Sequence, residues 1–380
     1  MRIIVFCGNG GSGVSTMAAA TACALAQSGK RTLAFGITRG LGAALGHDLG
    51  LEPVEVATRL DAVEGHGGHG GPDEFRAWLQ GLMDWRGMDP DLADDLAALP
   101  GVNHIGRLLE WQRLVRSEAY DCAVLDGAEV SQFLDLPGAL EAAARWLERL
   151  FSPRQQTVFE PFFRAFAGDY ASAGDSVFEN GRDMLSRLAD VRDMLTDPEV
   201  TSVRLVVVPG KAALSAVQDG ASVLGLFGYN LDGVIANRLL PEEVTDPFFD
   251  QSRTAQKTAM QDLVGVGISA PILEAKLQPE SPQNLAALLQ LAAQVYGSED
   301  PASFLVERVD HSVERTGDQY IVLVNAPFAK REELSLEEVD EGIAVHLNGR
   351  RCVIALPDVL YTEASSWSYD GEVLKVVLDR

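Results

Sequence analysis

The sequence predicts an α/β fold with a mostly parallel sheet and a helical insert, followed by a small antiparallel β domain. Three observations carry that reading. Residues 2–7 (RIIVFC) are a continuous apolar run closed by a glycine-rich turn, the pattern of a strand buried on both faces. A helix and a second strand follow, and this succession recurs over the first three hundred residues, which implies right-handed βαβ crossovers. From residue 303 onward the pattern becomes short alternating runs parted by turn signals, as in an antiparallel meander.

The elements follow in order. Residues 8–13 (GNGGSG) form a tight loop, and 14–28 read as an alanine-rich helix ending near Gly29. Residues 31–36 (RTLAFG) are the second strand, and the buried-strand signal returns at 120–126, 203–208 and 232–237. Residues 64–72 (EGHGGHGGP) read as a flexible loop. Residues 137–200 read as a long helical insert without a strand, rich in large apolar side chains such as Trp146, Phe159, Phe162, Phe163, Phe166, Met184 and Leu188. The later strands are expected at 303–309, 320–325, 343–347, 352–356 and 373–378, with turns at Asn348-Gly349 and Asp370-Gly371. The domains expected are 1–297, carrying the insert at about 137–200, and 301–380.

Composition narrows the function. Hydrophobic residues are 47% and charged residues 23% of the 380, which suits a packed globular protein. Against 31 Lys+Arg stand 55 Asp+Glu, a net charge of −24, and this disfavours general binding to nucleic acid or anionic lipid. No apolar run reaches about 18 residues, so no stable membrane insertion is expected. The opening MRIIVF is one strand long and reads as no signal peptide. Cys7, Cys23, Cys122 and Cys352 lie far apart without a CxxC pair, which reads as a cytoplasmic protein with reduced, mostly buried thiols and no zinc. His66 and His69 in the glycine loop read as solvent-facing, and no Ser/His/Asp or Cys/His nucleophile pattern is visible.

The loop after the first strand is where chemistry is expected. Gly8-Asn9-Gly10-Gly11-Ser12-Gly13-Val14-Ser15 has the frame G-x-x-x-x-G-K-[ST], with valine in the lysine slot. Small residues let successive backbone N–H groups face a phosphate, and the helix that follows adds its favourable dipole. Ser15 is placed to offer a hydroxyl to Mg²⁺. The bland reading is a tight turn in an α/β protein.

The stretch GNGGSGVSTMAAATACALAQSGKRTLAF resembles the first βαβ unit of the ArsA/Get family, the arsenite-pump ATPases and the cytosolic ATPases that target tail-anchored membrane proteins. LPGVNHIGRLLEWQRLVRSEAYDCAVLDGA, LDGVIANRLLPEE and ISAPILEAKLQPESPQNLAALLQLAAQVYG resemble later family segments in the same order, so the resemblance covers about 1–297. QYIVLVNAPF, CVIALPDVL and DGEVLKVVL resemble a small-heat-shock (α-crystallin-like) domain, which marks the family branch whose nucleotide motifs are degenerate. The resemblance implies a P-loop NTPase-type fold and a homodimer. It implies ATP or ADP with Mg²⁺ at Gly8 through Thr16, Asp126 near the metal and Asn237 at the adenine. It implies an apolar client surface on the 137–200 insert; packing of that insert onto the sheet or a dimer partner is the competing reading.

The departures from the family concern catalysis. Asn9 stands where the family has its signature lysine, and Val14 where it has the phosphate lysine. The first switch becomes Gly36-Ile37-Thr38-Arg39-Gly40-Leu41, without its carboxylate, and the second keeps only Asp126 and Ala128 before Glu129. Glu129 would oppose phosphate if it points inward. Arg39 and Lys211 are candidate replacement cations, or ordinary surface charges. The expectation is a chaperone or targeting factor for hydrophobic segments with weak or no ATP hydrolysis. The alternatives are an active ATPase that uses non-standard cations, or a structural scaffold. The β domain reads either as a chaperone module or as a packing element.

Overall fold

The computed structural model describes residues 1–64, 77–78, 80–81, 83–84, 89, 102–130, 133, 171–306, 312–316, 319–339, 342–355 and 364–379. The insert residues 137–170 and the loop residues 65–72, with His66 and His69, lie outside the described residues. The chain divides into two compact units, one of residues 1–64, 120–134 and 195–380, the other of 65–119 and 135–194.

In the first unit the strands β1 (Arg2–Gly8), β2 (Thr32–Gly36), β3 (Val54–Ala57), β4 (Leu60–Glu64), β5 (Cys122–Glu129), β6 (Thr201–Val207), β7 (Leu231–Leu239) and β8 (Ile272–Lys276) form one sheet. Their order is β3-β4-β2-β5-β1-β6-β7-β8. Every neighbouring pair is parallel except β3–β4. The five strands read from the first 240 residues are present to within about three residues at each end. The hairpin β3–β4 is an addition to that reading. Its sequence interleaves Glu55, Arg59 and Asp61 with the apolar residues, so the buried-strand signal is missing. One consequence is a correction: Glu64, taken as the first residue of a flexible loop, is the last residue of β4.

Helix α1 (Val14–Gln27) follows the glycine loop, and α2 (Leu41–Leu45) follows β2. Ala18, Ala19, Ala20, Ala22 and Ala26 of α1 are buried, and their small side chains let the helix lie close to the sheet. Ile4, Phe6, Ala34, Ala62 and Val124 meet that face in one core cluster.

In the second unit α3 (Val102–Arg116) and α4 (Ala171–Thr196, within this unit to Met194) are joined by polar contacts. Gln112 donates to Asp190 at 2.7 Å, Arg116 Nε donates to the same carboxylate at 2.9 Å, and Arg187 donates to the Leu109 carbonyl at 3.1 Å. Met184 and Leu188, two of the apolar residues read in the insert, are buried.

The first unit continues with α5 (Ala213–Leu226), α6 (Asp250–Gly265) and α7 (Leu285–Tyr296). Beyond these, residues 301–306 lie outside any strand, which corrects the expected strand over 303–306; 307–309 lie outside the described residues. FLVERV alternates as a strand does, but residues 302–304 are held by arginines remote in sequence. Arg2 donates to the Ala302 carbonyl at 2.8 Å, and its guanidinium lies 3.7 Å from the Phe304 ring centre. Arg204 donates to the Ser303 carbonyl at 3.1 Å. Both arginines are buried and share Asp232: Arg204 Nε reaches Oδ1 at 3.1 Å and Arg2 Nη2 reaches Oδ2 at 3.2 Å. Arg204 also donates to Tyr296, whose hydroxyl lies 2.7 Å from Thr21 Oγ1 on α1.

The C-terminal strands are β9 (Ser312–Thr316), β10 (Gln319–Asn325), β11 (Leu334–Val339), β12 (Gly342–Leu347), β13 (Arg350–Ala355), β14 (Ala364–Tyr369) and β15 (Val373–Asp379). They form two antiparallel sheets, β14-β15-β10-β9 and β11-β12-β13. Asn348 and Gly349 both have positive φ, as a type I′ turn between β12 and β13 demands.

These sheets rest on α5. Ser222 donates to the Pro327 carbonyl, and Cys352 Sγ donates to the Leu226 carbonyl at 3.4 Å. A Cβ on Gly225 would stand 2.9 Å from the Asn325 carbonyl oxygen, so only glycine admits this approach. Gly225→Ala is therefore expected to destabilise the chain by about 1–3 kcal/mol, since backbone must move to admit one methyl group. Urea unfolding followed by tryptophan fluorescence checks this, and an unchanged midpoint would show the contact to be slack.

Candidate functional site

The carboxyl ends of the central strands converge where α1 begins. Gly8 ends β1, Asn9 to Gly13 form the loop, and Val14, Ser15 and Thr16 make the first turn of α1. Asn9, Gly10 and Gly11 are exposed, while Ser12 and Val14 are buried. The Ser12 N–H donates to the Asn9 carbonyl at 2.9 Å and closes the turn.

Two glycines are required sterically. Gly13 precedes the helix at φ +97°, and a Cβ there would stand 2.4 Å from Asn237 Nδ2. A Cβ on Gly8 would stand 2.2 Å from the Val206 carbonyl oxygen. The loop is thus seated against β6 and β7. Asn237, buried on β7, donates through Nδ2 to the Ser12 carbonyl at 2.7 Å. Asp126 on β5 is fully buried and pairs in register with Phe6 on one side and Gly36 on the other. The sequence-derived site residues therefore share one end of the sheet, and Asn237 is tied to the loop directly.

The lysine slot is filled differently from a working phosphate loop. Val14 belongs to the core cluster, and its Cγ2 lies 2.9 Å from where a Gly8 Cβ would be. Glu129 approaches the loop from the end of β5, with its Oε1 only 2.5 Å from the position of a Gly10 Cβ. The carboxylate does lie against the cradle. Arg39 and Lys211 are exposed.

Three features here were not read from the sequence. Glu64 reaches the segment that follows β2 from the neighbouring strand; its Oε1 accepts from the Gly40 N–H at 2.5 Å and the Gly42 N–H at 3.3 Å. Gly40 lies against the Ser15 hydroxyl, since a Cβ on it would be 2.5 Å from Ser15 Oγ. Arg238, next to Asn237, takes a left-handed conformation at φ +60°. Asn237 Oδ1 accepts from its N–H at 2.8 Å, and Gln256 brackets the turn by donating to the Arg238 carbonyl and accepting from the Leu240 N–H, both at 2.9 Å. Strain of this kind persists where neighbours over-determine it. The Asn-Arg pair was visible in the sequence; Gln256 and Glu64 become visible only through register and packing.

The four cysteines are free and buried. Burial pushes the Cys7 thiol, beside the loop, far above its ordinary range, and the Cys23 thiol up to about 12. Thiolate is the reactive form, so the folded chain is expected to react with less than one equivalent of Ellman's reagent at pH 8, and with four after unfolding. Rapid reaction of the folded chain would refute this. Among the described residues no group of three or more His, Cys, Asp or Glu is arranged to hold a metal, and no helix is long and apolar enough to cross a membrane.

Comparison with known proteins accords with this arrangement. The Anion-transporting ATPase family matches residues 1–297, and the HSP20-like domain found in ArsA matches 317–378. A protein of Aquifex aeolicus named "Putative arsenical pump-driving ATPase 1" is 26% identical over 94% of each chain. "Uncharacterized protein SCO2128" of Streptomyces coelicolor is 30% identical over 95% of this chain and 92% of its own. "ATPase GET3" of Malassezia globosa is 25% identical over 62% of this chain and 72% of its own. Family matches over both parts, together with a β1–loop–α1 unit seated on Asn237, lead to one conclusion: the chain belongs to the anion-transporting ATPase (ArsA) family and carries that family's HSP20-like domain.

Proposed function

We propose that the chain binds ATP or ADP through backbone N–H groups of Gly8 to Thr16 and hydrolyses it very slowly or not at all. The observation that carries this is the seat of the glycine loop. Its backbone is held open by Asn237, while no side-chain cation stands at Asn9 or Val14. Backbone N–H groups at a helix N-terminus suffice for binding phosphate. Phosphoryl transfer needs cations and a positioned water, which are the parts lost.

Ser15 and Asp126 would hold Mg²⁺, being hard oxygen donors at the carboxyl end of the central strands. The ion would neutralise phosphate charge. Asn237 would border the adenine. The chain would act in the cytoplasm as a homodimeric chaperone or targeting factor for hydrophobic segments, with the 137–200 insert as client surface and without stable membrane insertion or nucleic-acid binding. The domain division at 297–301 belongs to the same reading. The β domain's support on α5 favours a packing role for it.

A second reading, an active ATPase with non-standard cations, is favoured by Arg238, whose strained turn places an exposed arginine beside Asn237. Titration with ADP and Mg²⁺ tests the first reading. Glu129→Gln is expected to tighten binding about fivefold, because it removes one repulsion of about 1 kcal/mol at the rim. Unchanged or weaker affinity would place Glu129 outside the phosphate's field.

A further inference from the structure

We propose that Glu64 is the positioning carboxylate of the first switch segment, serving Mg²⁺–nucleotide in place of the acid that Gly36 lacks. This rests on the nucleotide reading above.

Register carries the argument. Gly36 at the end of β2 pairs with Glu64 of β4 on one side and with Asp126 of β5 on the other, all in parallel. Paired residues of parallel strands share a face, so the two acids flank a position without a side chain, with Cα atoms about 10 Å apart. That face is the one covered by α1: Ala34, Ala62 and Val124, two residues before Gly36, Glu64 and Asp126, pack with the α1 alanines in one cluster. Ser15 in the first turn of α1 is therefore at the same corner.

Glu64 is 7% exposed. Its Oε1 holds the N–H groups of Gly40 and Gly42, and this grip sets Gly40 against Ser15 Oγ. Gly36 stands against the same segment: a Cβ there would be 3.0 Å from the Thr38 carbonyl oxygen and 3.2 Å from Leu41 Cβ, and in ordinary contact with Glu64 Cγ at 3.4 Å. Among the described residues no salt bridge involves Glu64, and a buried carboxylate without a counter-cation is costly. Mg²⁺ held at Ser15 would supply a counter-cation at this corner. Glu64 acts on the metal through the 37–42 segment and does not touch nucleotide.

Glu64→Gln separates charge from shape, because its amide oxygen still accepts from Gly40 and Gly42. Nucleotide affinity is measured for wild type and Glu64→Gln, in Mg²⁺ and in EDTA. We expect Mg²⁺ to tighten wild-type binding, and the variant to lose about tenfold or more of that gain, the scale seen when outer-shell groups of metal sites are removed. The EDTA affinities of the two should agree. A variant that keeps the whole Mg²⁺ gain overturns the proposal and leaves the nucleotide reading intact. A wild type that binds nucleotide in neither condition overturns both. Should the variant not fold, amide exchange of residues 37–45 in the wild type decides. Slower exchange with Mg²⁺–ADP than with ADP in EDTA is expected, and equal rates overturn the proposal.

Discussion

Asp232→Ala is expected to lower the free energy of unfolding by about 3–5 kcal/mol, because it leaves two buried guanidinium groups with no shared anion. Asp232 and Arg204 are both fully buried, and Arg2 nearly so. Their remaining donors are already committed. Arg2 holds the Ala302, Ile3 and Val200 carbonyls, and Arg204 holds Tyr296 and the Ser303 carbonyl. The aspartate offsets one of the two guanidinium charges that the cluster holds in a dry interior. Its loss should also free residues 300–305, which join the two structural parts of the first unit. Urea unfolding measures the stability change, and proteolysis near residue 305 reports the release. A change below about 1 kcal/mol would mean that the cluster is better hydrated than its burial indicates.

The second large effect concerns turnover. ATP hydrolysis by the purified protein is expected to be at least about a thousandfold slower than 1 s⁻¹, the lower end of ordinary phosphoryl-transfer enzymes. One missing charge-stabilising donor costs about 10²–10³ in rate, and this loop lacks lysine at Asn9 and at Val14. Val14 packs beneath the loop, so a lysine side chain placed there would have to leave the core before reaching phosphate. Single-turnover measurement with radiolabelled ATP sets the rate. A value near 1 s⁻¹ would show that Arg238 or another arginine carries the charge.

Much of the fold was legible because its signals are local. An unbroken apolar run gave β1, and Asn348-Gly349 gave the β12–β13 turn, since both depend on a few adjacent residues. The glycine loop was legible for the same reason. What escaped the sequence depends on distant partners. Residues 303–306 alternate like a strand, but Arg2 holds the Ala302 carbonyl and the Phe304 ring, and Arg204 holds the Ser303 carbonyl. The β3–β4 hairpin lacks a continuous apolar run, so its end residue Glu64 read as loop. Glu64 meets Gly36 only through strand register, which one sequence does not display. Residues 36–41 contain no acid, and Glu64 stands beside them from another strand.

The proposal at the centre of this account is that the loop holds phosphate through its backbone N–H groups, without a lysine, and turns nucleotide over very slowly or not at all. Its most direct test is one titration of the purified chain with ATP and Mg²⁺, reading bound nucleotide and released phosphate in the same sample. The expected result is saturable binding that Gly13→Ala removes, with phosphate release no greater than in buffer. Steady phosphate release that Ser15→Ala abolishes would contradict it.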